Sequence, residues 1–204
     1  MEVESWGLNV RCWGMHLYLI RHGETEWALS GRHTSRTDLP LTEHGRAQAA
    51  TLKARLAGIK FAQVLSSPRQ RARTTAELAG FPQAEVCEDL REFEYGDYEG
   101  LLKPEILVRA PGWNIFRDGC PGGEEVAQVV ARAQKVISRV REGTGDTLVF
   151  SHGHMGRMLA VCWLGQPPTF GQQLILDTCT VNILSWEKEV AAVQAWNCAG
   201  EGRR

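Results

Sequence analysis

Two histidines, each followed by glycine and each preceded by an apolar run, mark where this chain could do chemistry. Leu17-Tyr18-Leu19-Ile20 leads into Arg21-His22-Gly23, and Thr147-Leu148-Val149-Phe150 leads into Ser151-His152-Gly153. Both runs read as short buried strands, and open α/β sheets hold ligands beyond the carboxyl ends of such strands. Strands that end this way predict two imidazoles facing one anion.

Phosphoryl transfer without a metal needs a nucleophile, cations for the equatorial oxygens and a proton donor for the leaving oxygen. His22 suits the first role, because a neutral imidazole with an ordinary pKa of about 6.5 can attack phosphorus near neutral pH. Arg21 and a second arginine from Ser66-Ser67-Pro68-Arg69-Gln70-Arg71-Ala72-Arg73 could clamp the oxygens, since planar guanidinium forks match that geometry. That segment opens a helix after a strand, so its first turn favours anions. His152 would serve as a hydrogen-bond donor or cation toward the transition state.

Each residue alone has a plainer use: a satisfied structural histidine, a solvated arginine face, or surface acids at Glu92, Glu94, Asp97 and Glu99. A metal site is another use of two histidines. No cysteine brackets them and no His-x-x-x-His pair occurs, so neither a metal nor any other cofactor is expected.

The elements that must position these groups follow in order. Thr42 caps a helix that carries Ala47, Ala50, Leu52 and Leu56 and ends at Gly58. Phe61 to Leu65 is a second strand, and a helix enters at Pro68 and stops at Gly80. Glu85 to Cys87 is a weak strand. Leu90 to Gly123 is mostly loop, with a short helix from Pro104; so long an irregular stretch is more often functional than decorative. Glu124 to Val140 is amphipathic, with Val126, Val129, Val130, Ala133, Ile137 and Val140 on one face. A helix from Met155 to Leu164 follows the Thr147 strand, and Val181–Trp186 and Val190–Trp196 form a terminal hairpin. Alternating strands and helices predict a three-layer α/β/α sandwich with a mostly parallel sheet and an antiparallel edge.

With 204 residues, 43% hydrophobic and 23% charged, the chain fits one domain. Its net charge of −1 gives no bulk field toward nucleic acid or anionic lipid, and it lacks the run of about 18 apolar residues that a membrane span needs. The six cysteines are scattered without Cys-x-x-Cys spacing, which points to a reducing, cytoplasmic setting. Residues 1–14 lack the pattern of a secretory signal and read as a dispensable extension before the domain of residues 15–204, with Met15 as an alternative start. The hairpin is either core or the edge of a homodimer.

Leu19-Ile20-Arg21-His22-Gly23-Glu24-Thr25-Glu26-Trp27 closely resembles the signature of the histidine phosphatase superfamily, which has the phosphoglycerate-mutase-like fold. Further matches come in register: Asp38-Leu39-Pro40-Leu41-Thr42 with Gly45; Ser66-Ser67-Pro68 with Arg71-Ala72 and Thr75-Ala76; Leu90-Arg91-Glu92 with Gly96 and Glu99-Gly100; and Ser151-His152-Gly153. The resemblance implies that His22 becomes phosphorylated while Arg21, Arg71 and His152 form the phosphate pocket. It makes Glu92 the general acid and then the base. It also places Glu24, Thr34 and Ser35 along the pocket and has Gly153 allow close backbone approach. The implied partner is a small phosphate ester. Ala28 departs from the asparagine many members carry there, and a side chain from Ser30 to Ser35 could substitute for it.

The short chain has no large insertion between Leu90 and Gly123, which favours a phosphatase over a mutase. The Leu90–Gly100 and Trp113–Cys120 stretches are similar to the fungal sedoheptulose-1,7-bisphosphatase branch and its bacterial relatives. That likeness would have Arg117, Lys103 or the Ser30–Arg36 loop hold a second phosphate and Trp113 wall the sugar. Simple loop packing is the other use of Trp113. A broad-specificity phosphomonoesterase and a non-catalytic phospho-ligand binding domain also stay open. Removal of residues 1–14 is expected to leave thermal unfolding and phosphate release from a generic monoester unchanged, and a large loss of either would show that the extension belongs to the domain.

Overall fold

Alternation along the first strand decides the layering. In the computed structural model, which describes residues 14–199, β1 (Leu17–Arg21) sends Leu17 and Leu19 into one core and Ile20 into another. Fully buried β4 (Thr147–Ser151) divides the same way, with Val149 on the first side and Leu148 and Phe150 on the second. Both faces of these strands must therefore be covered, which is the condition for a parallel sheet between helical layers.

The remaining strands are β2 (Gln63–Ser66), β3 (Glu85–Val86), β5 (Val181–Glu187) and β6 (Val190–Cys198). They assemble in the order β3-β2-β4-β1-β5-β6. The first four are parallel, while β5 runs antiparallel to β1 and β6 antiparallel to β5. This is the expected sandwich with its antiparallel edge.

The α-helices are α1 (Glu26–Ser30), α2 (Glu43–Arg55), α3 (Gln70–Leu78), α4 (Lys103–Arg109), α5 (Ile115–Asp118), α6 (Val126–Glu142) and α7 (Gly153–Trp163). Ala49 and Leu52 of α2 and Ala76 of α3 close one face. Val129, Ala133 and Val136 of α6 and Met158 and Leu159 of α7 close the other. Thr42 caps α2 by accepting from Gly45 N, and the Asp38 carboxylate accepts from Gln70 N at the start of α3.

Several boundaries differ from the sequence reading. The third helix begins at Gln70 rather than Pro68, because Arg69 is still extended (φ −69°, ψ 135°). The second strand is Gln63–Ser66 rather than Phe61–Leu65. The stretch from Leu90 to Gly123 is more ordered than a loop, with a 3-10 turn at Gly96–Tyr98 besides α4 and α5. Helix α1 and the 3-10 stretch Pro168–Gln173 were not expected; both are too short to show a helical period. Apart from Gly14, the N-terminal extension lies outside the described residues.

Register does the positioning. Arg21 pairs with Ser151 and Ser66 with Phe150, so three neighbouring parallel strands end at nearly one level. His22, Ser67 and His152 leave them side by side. The turn after His22 is pressed against α2, where a Cβ on Gly45 would lie 2.2 Å from the Glu24 carbonyl oxygen. Gly45→Ala is expected to destabilise the fold by about 1–3 kcal/mol, an overpacking cost that exceeds the helix preference for alanine. A lower urea midpoint checks this, and an unchanged midpoint would mean that α2 is not seated so closely.

Candidate functional site

The chain leaving β1 carries Arg21 and His22 into a cleft of about 270 Å³. Its lining includes Arg21, His22, Thr25, Trp27, Ala28, Arg32, His33, Thr34, Glu92, Tyr95, Lys103, Gly153, His154 and Arg157. The His22 Nδ1 lies 2.7 Å from the Gly23 carbonyl oxygen. A carbonyl only accepts, so Nδ1 carries the proton and Nε2 keeps its lone pair. Burial first, then the Arg71 and Arg21 charges, hold the His22 pKa well below its ordinary value. The ring is thus a neutral base set among cations.

Arg71 and His152 stand directly behind His22, with no exposed surface and outside the cleft lining. The His22 and His152 ring centroids are 5.1 Å apart. Arg71 Nε donates to His152 Nδ1 (3.2 Å), so His152 carries its proton on Nε2 and directs it at Ser67 Oγ (2.7 Å). The other Arg71 donors go to the carbonyls of Thr34, Ser35 and Thr37. Burial and the neighbouring Arg71 charge keep His152 neutral, with its pKa well below the usual range. Of the two expected roles, donor or cation, the ring has the donor, which Ser67 takes up here, and Arg71 braces the site from behind.

Glu92 does reach the cleft. Its Oε1 accepts from Phe93 N and Met155 N (2.9 and 2.8 Å), and its Oε2 from His154 N (3.0 Å). The carboxylate thus caps the N-terminus of α7, where free N–H groups and the helix dipole favour an anion. A second layer fixes the segment that carries it. Arg132 grips Glu124 with two bonds of 2.8 and 2.7 Å and also donates to the carbonyls of Asp89 and Arg91. Glu94 N donates to Glu124, and Ser151 Oγ to the Leu90 carbonyl.

Arg21 Nη1 donates to the Leu176 carbonyl, while its Nε is buried without a partner among the described residues. An unused guanidinium donor beside an unencumbered imidazole is the arrangement an anion completes. Thr34, Gly153 and Lys103 line the cleft. Ser35 does not: its hydroxyl donates to Glu99 (2.6 Å) and its carbonyl receives Arg71. Burial works against ionisation of Glu99, but hydrogen bonds from Ser35 and Thr37 outweigh it and hold the carboxyl below its ordinary pKa. Glu24 also stays outside the lining, accepting from Thr42 Oγ1 and so tying the site to α2.

Two specificity candidates are corrected. Arg117 is locked to Asp118 and the Gly112 carbonyl and borders a separate groove. Trp113 borders that groove too, with its Nε1 donating to the Gly119 carbonyl and its ring behind His33. Packing of the loop accounts for Trp113. Beside Ala28, the Ser30–Ser35 loop contributes Arg32, His33 and Thr34. The sequence reading named the Ser30–Arg36 loop without singling out Arg32 or His33, and it missed Tyr95, His154 and Arg157. The position of His154 two residues after His152 was an available signal, and so was that of Arg157 one turn into the same helix.

The family comparisons agree with this geometry. The model of the histidine phosphatase superfamily (branch 1) matches residues 17–199. An acid phosphatase of Mycobacterium tuberculosis is 38% identical over 188 residues, covering 90% of this chain and 93% of that protein. The sedoheptulose 1,7-bisphosphatase of Saccharomyces cerevisiae is 38% identical over 180 residues, covering 72% of this chain and 66% of that one. A solved structure of a Mycobacterium tuberculosis open reading frame superposes with a TM-score of 0.87 at 36% identity, covering 91% and 98% of the two chains. The cationic cleft, the open imidazole and the matched length lead to one conclusion: the chain belongs to the histidine phosphatase superfamily, branch 1.

Proposed function

We propose that this protein is a phosphatase that hydrolyses phosphate monoesters through a phosphohistidine on His22. One observation carries the reading: a neutral His22 has its Nδ1 proton pinned to Gly23 and its Nε2 lone pair free in a cleft shared with Arg21 and Glu92. In the first step Nε2 attacks phosphorus, the P–O ester bond breaks, and Glu92 in its protonated form gives a proton to the departing alkoxide. In the second, Glu92 takes a proton from water, the resulting hydroxide displaces His22, and inorganic phosphate leaves. Arg21 neutralises charge on the phosphoryl oxygens in both steps.

Arg32, Lys103 and Arg157 add three cations to the same cleft, so the reading extends to esters with a second acidic group, sugar bisphosphates among them. The yeast relative's name fits that class. The five described cysteines are unpaired, in keeping with a reducing compartment, and no helix among the described residues is long and apolar enough to cross a membrane.

His22→Ala is expected to lower kcat/KM for a monoester on the order of a thousandfold or more, and Glu92→Gln about 10²–10⁴-fold. Acid-labile phosphate should be trapped on His22 in rapid-quench samples; its absence, or transfer between substrate positions in place of phosphate release, would defeat the hydrolase reading. Lys103→Met should raise KM for a bisphosphate more than for a monophosphate, while Arg117→Met should alter neither.

The pH dependence has a definite sign. Because the folded pKa of His22 is lowered, its lone pair persists as pH falls through 6.5 and is lost only below that value. Nitrogen-15 NMR should find Nε2 unprotonated at pH 6.5. The buried neutral His22, His152 and His154 likewise contribute stability that is complete above about pH 6.5 and declines as the unfolded chain protonates below it. Urea midpoints from pH 7.5 down to 5 check this.

A further inference from the structure

Two histidines in the cleft wall have no part in the phosphoryl chemistry. His33 and His154 both line the cleft, with nearly parallel rings (10°) and centroids 5.9 Å apart. We propose that they form a hydroxyl-reading subsite, which selects phosphate esters of polyhydroxylated carbon chains over esters of plain alkyl alcohols. The proposal rests on the phosphatase reading above and adds what the alcohol portion must look like.

The hydrogen-bond network assigns the proton on each ring. His33 Nδ1 lies 2.9 Å from the Leu101 carbonyl oxygen, which only accepts. Nδ1 therefore carries the hydrogen, and Nε2 offers a lone pair. His154 Nδ1 lies 2.5 Å from the Tyr95 hydroxyl. Tyr95 is buried, and its hydroxyl has no other acceptor among the described residues, so its hydrogen goes to His154 Nδ1. His154 Nδ1 is then the acceptor and its hydrogen sits on Nε2. Burial keeps both imidazoles neutral. Neither Nε2 has a protein partner among the described residues.

The wall thus offers one donor and one acceptor. The rings are nearly parallel with centroids 5.9 Å apart, so the two open nitrogens can meet neighbouring hydroxyls of one carbon chain. A hydroxyl is the group that accepts from one and donates to the other. A methylene satisfies neither, and a fully ionised phosphate would set its oxygens against the His33 lone pair. The rings are held in place before any ligand arrives. Tyr95 stands edge-on to both, Trp113 backs His33, and Phe116 backs His154. Such preorganisation makes a polar pair selective, because a substrate lacking the group leaves it unpaired.

The test compares kcat/KM for ribitol 5-phosphate and pentyl phosphate, which share chain length and differ in hydroxyls. The wild type should prefer the ribitol ester by at least about tenfold. His33→Phe and His154→Phe, which keep the ring volume, should each lose most of that preference. Tyr95→Phe should also lower it, since His154 is then free to change tautomer, although Tyr95 supplies no Nε2 group itself. Nitrogen-15 NMR should find the proton on Nδ1 of His33 and on Nε2 of His154. Equal wild-type kcat/KM for the two esters, a preference that survives both Phe variants, or the opposite tautomers would overturn the subsite while leaving the phosphatase intact. Failure of the wild type to release phosphate from either ester would instead overturn the phosphatase reading.

Discussion

A guanidinium with no exposed surface is the constraint on which this site depends. Arg71 is buried where a charge costs several kcal/mol unless its donors are satisfied. Burial pulls its pKa down, and the fields of Glu92 and Asp38 oppose that pull. Three carbonyls from the Thr34–Thr37 segment and one ring nitrogen of His152 satisfy the donors. The segment can present those carbonyls only while Glu99 gathers the amides of Ser35 and Thr37. One buried charge thereby fixes a loop, sets a tautomer and, after burial itself, keeps His22 neutral. Replacing Arg71 would leave several buried acceptors unpaired, so its contribution cannot be reduced to one contact.

The opposite wall follows the same logic with the sign reversed. Glu92 is an acceptor whose partners are main-chain N–H groups, two of them from the first turn of α7. The helix that follows His152 therefore holds the residue facing His22. The Arg132–Glu124 pair acts one layer farther out, on the segment from Asp89 to Glu94, and it is bidentate and buried. Pairs of this kind contribute little net stability, yet breaking one leaves an uncompensated charge, so their effect is to define position.

Most of the architecture was legible because it follows from short patterns. The apolar runs at Leu17 and Thr147 are bounded by polar residues, and the Gly-terminated helices carry ordinary caps. Two of the catalytic candidates were legible for a related reason: His22 and His152 follow the ends of strands, where spacing along the chain translates into position, whereas Glu92 stood out only through the family resemblance. Distal specificity was not. Arg117 and Trp113 are close in sequence to the segment that bears Glu92, but their side chains turn to another groove. Arg32 and Arg157 lie 125 positions apart in the chain and meet in one cleft only after the sheet has formed. No local pattern encodes that meeting.

His152 shows that residue type alone does not fix what a histidine does. A histidine beside His22 suggests a donor or a cation, and which of the two it is depends on what its nitrogens already contact. Here one accepts from a guanidinium and the other donates to a serine, so the ring relays position from Arg71 to Ser67 without charge of its own. The same test, applied to His33 and His154, yields rings with one engaged nitrogen and one open nitrogen of opposite hydrogen-bonding sense. Four neutral histidines of one residue type therefore divide into a proposed nucleophile, a brace, a donor and an acceptor. The partner at the second nitrogen sets each ring's open atom: a backbone carbonyl leaves a lone pair on His22 and His33, Tyr95 leaves an N–H on His154, His152 has a partner on each side, and only place in the cleft separates His22 from His33.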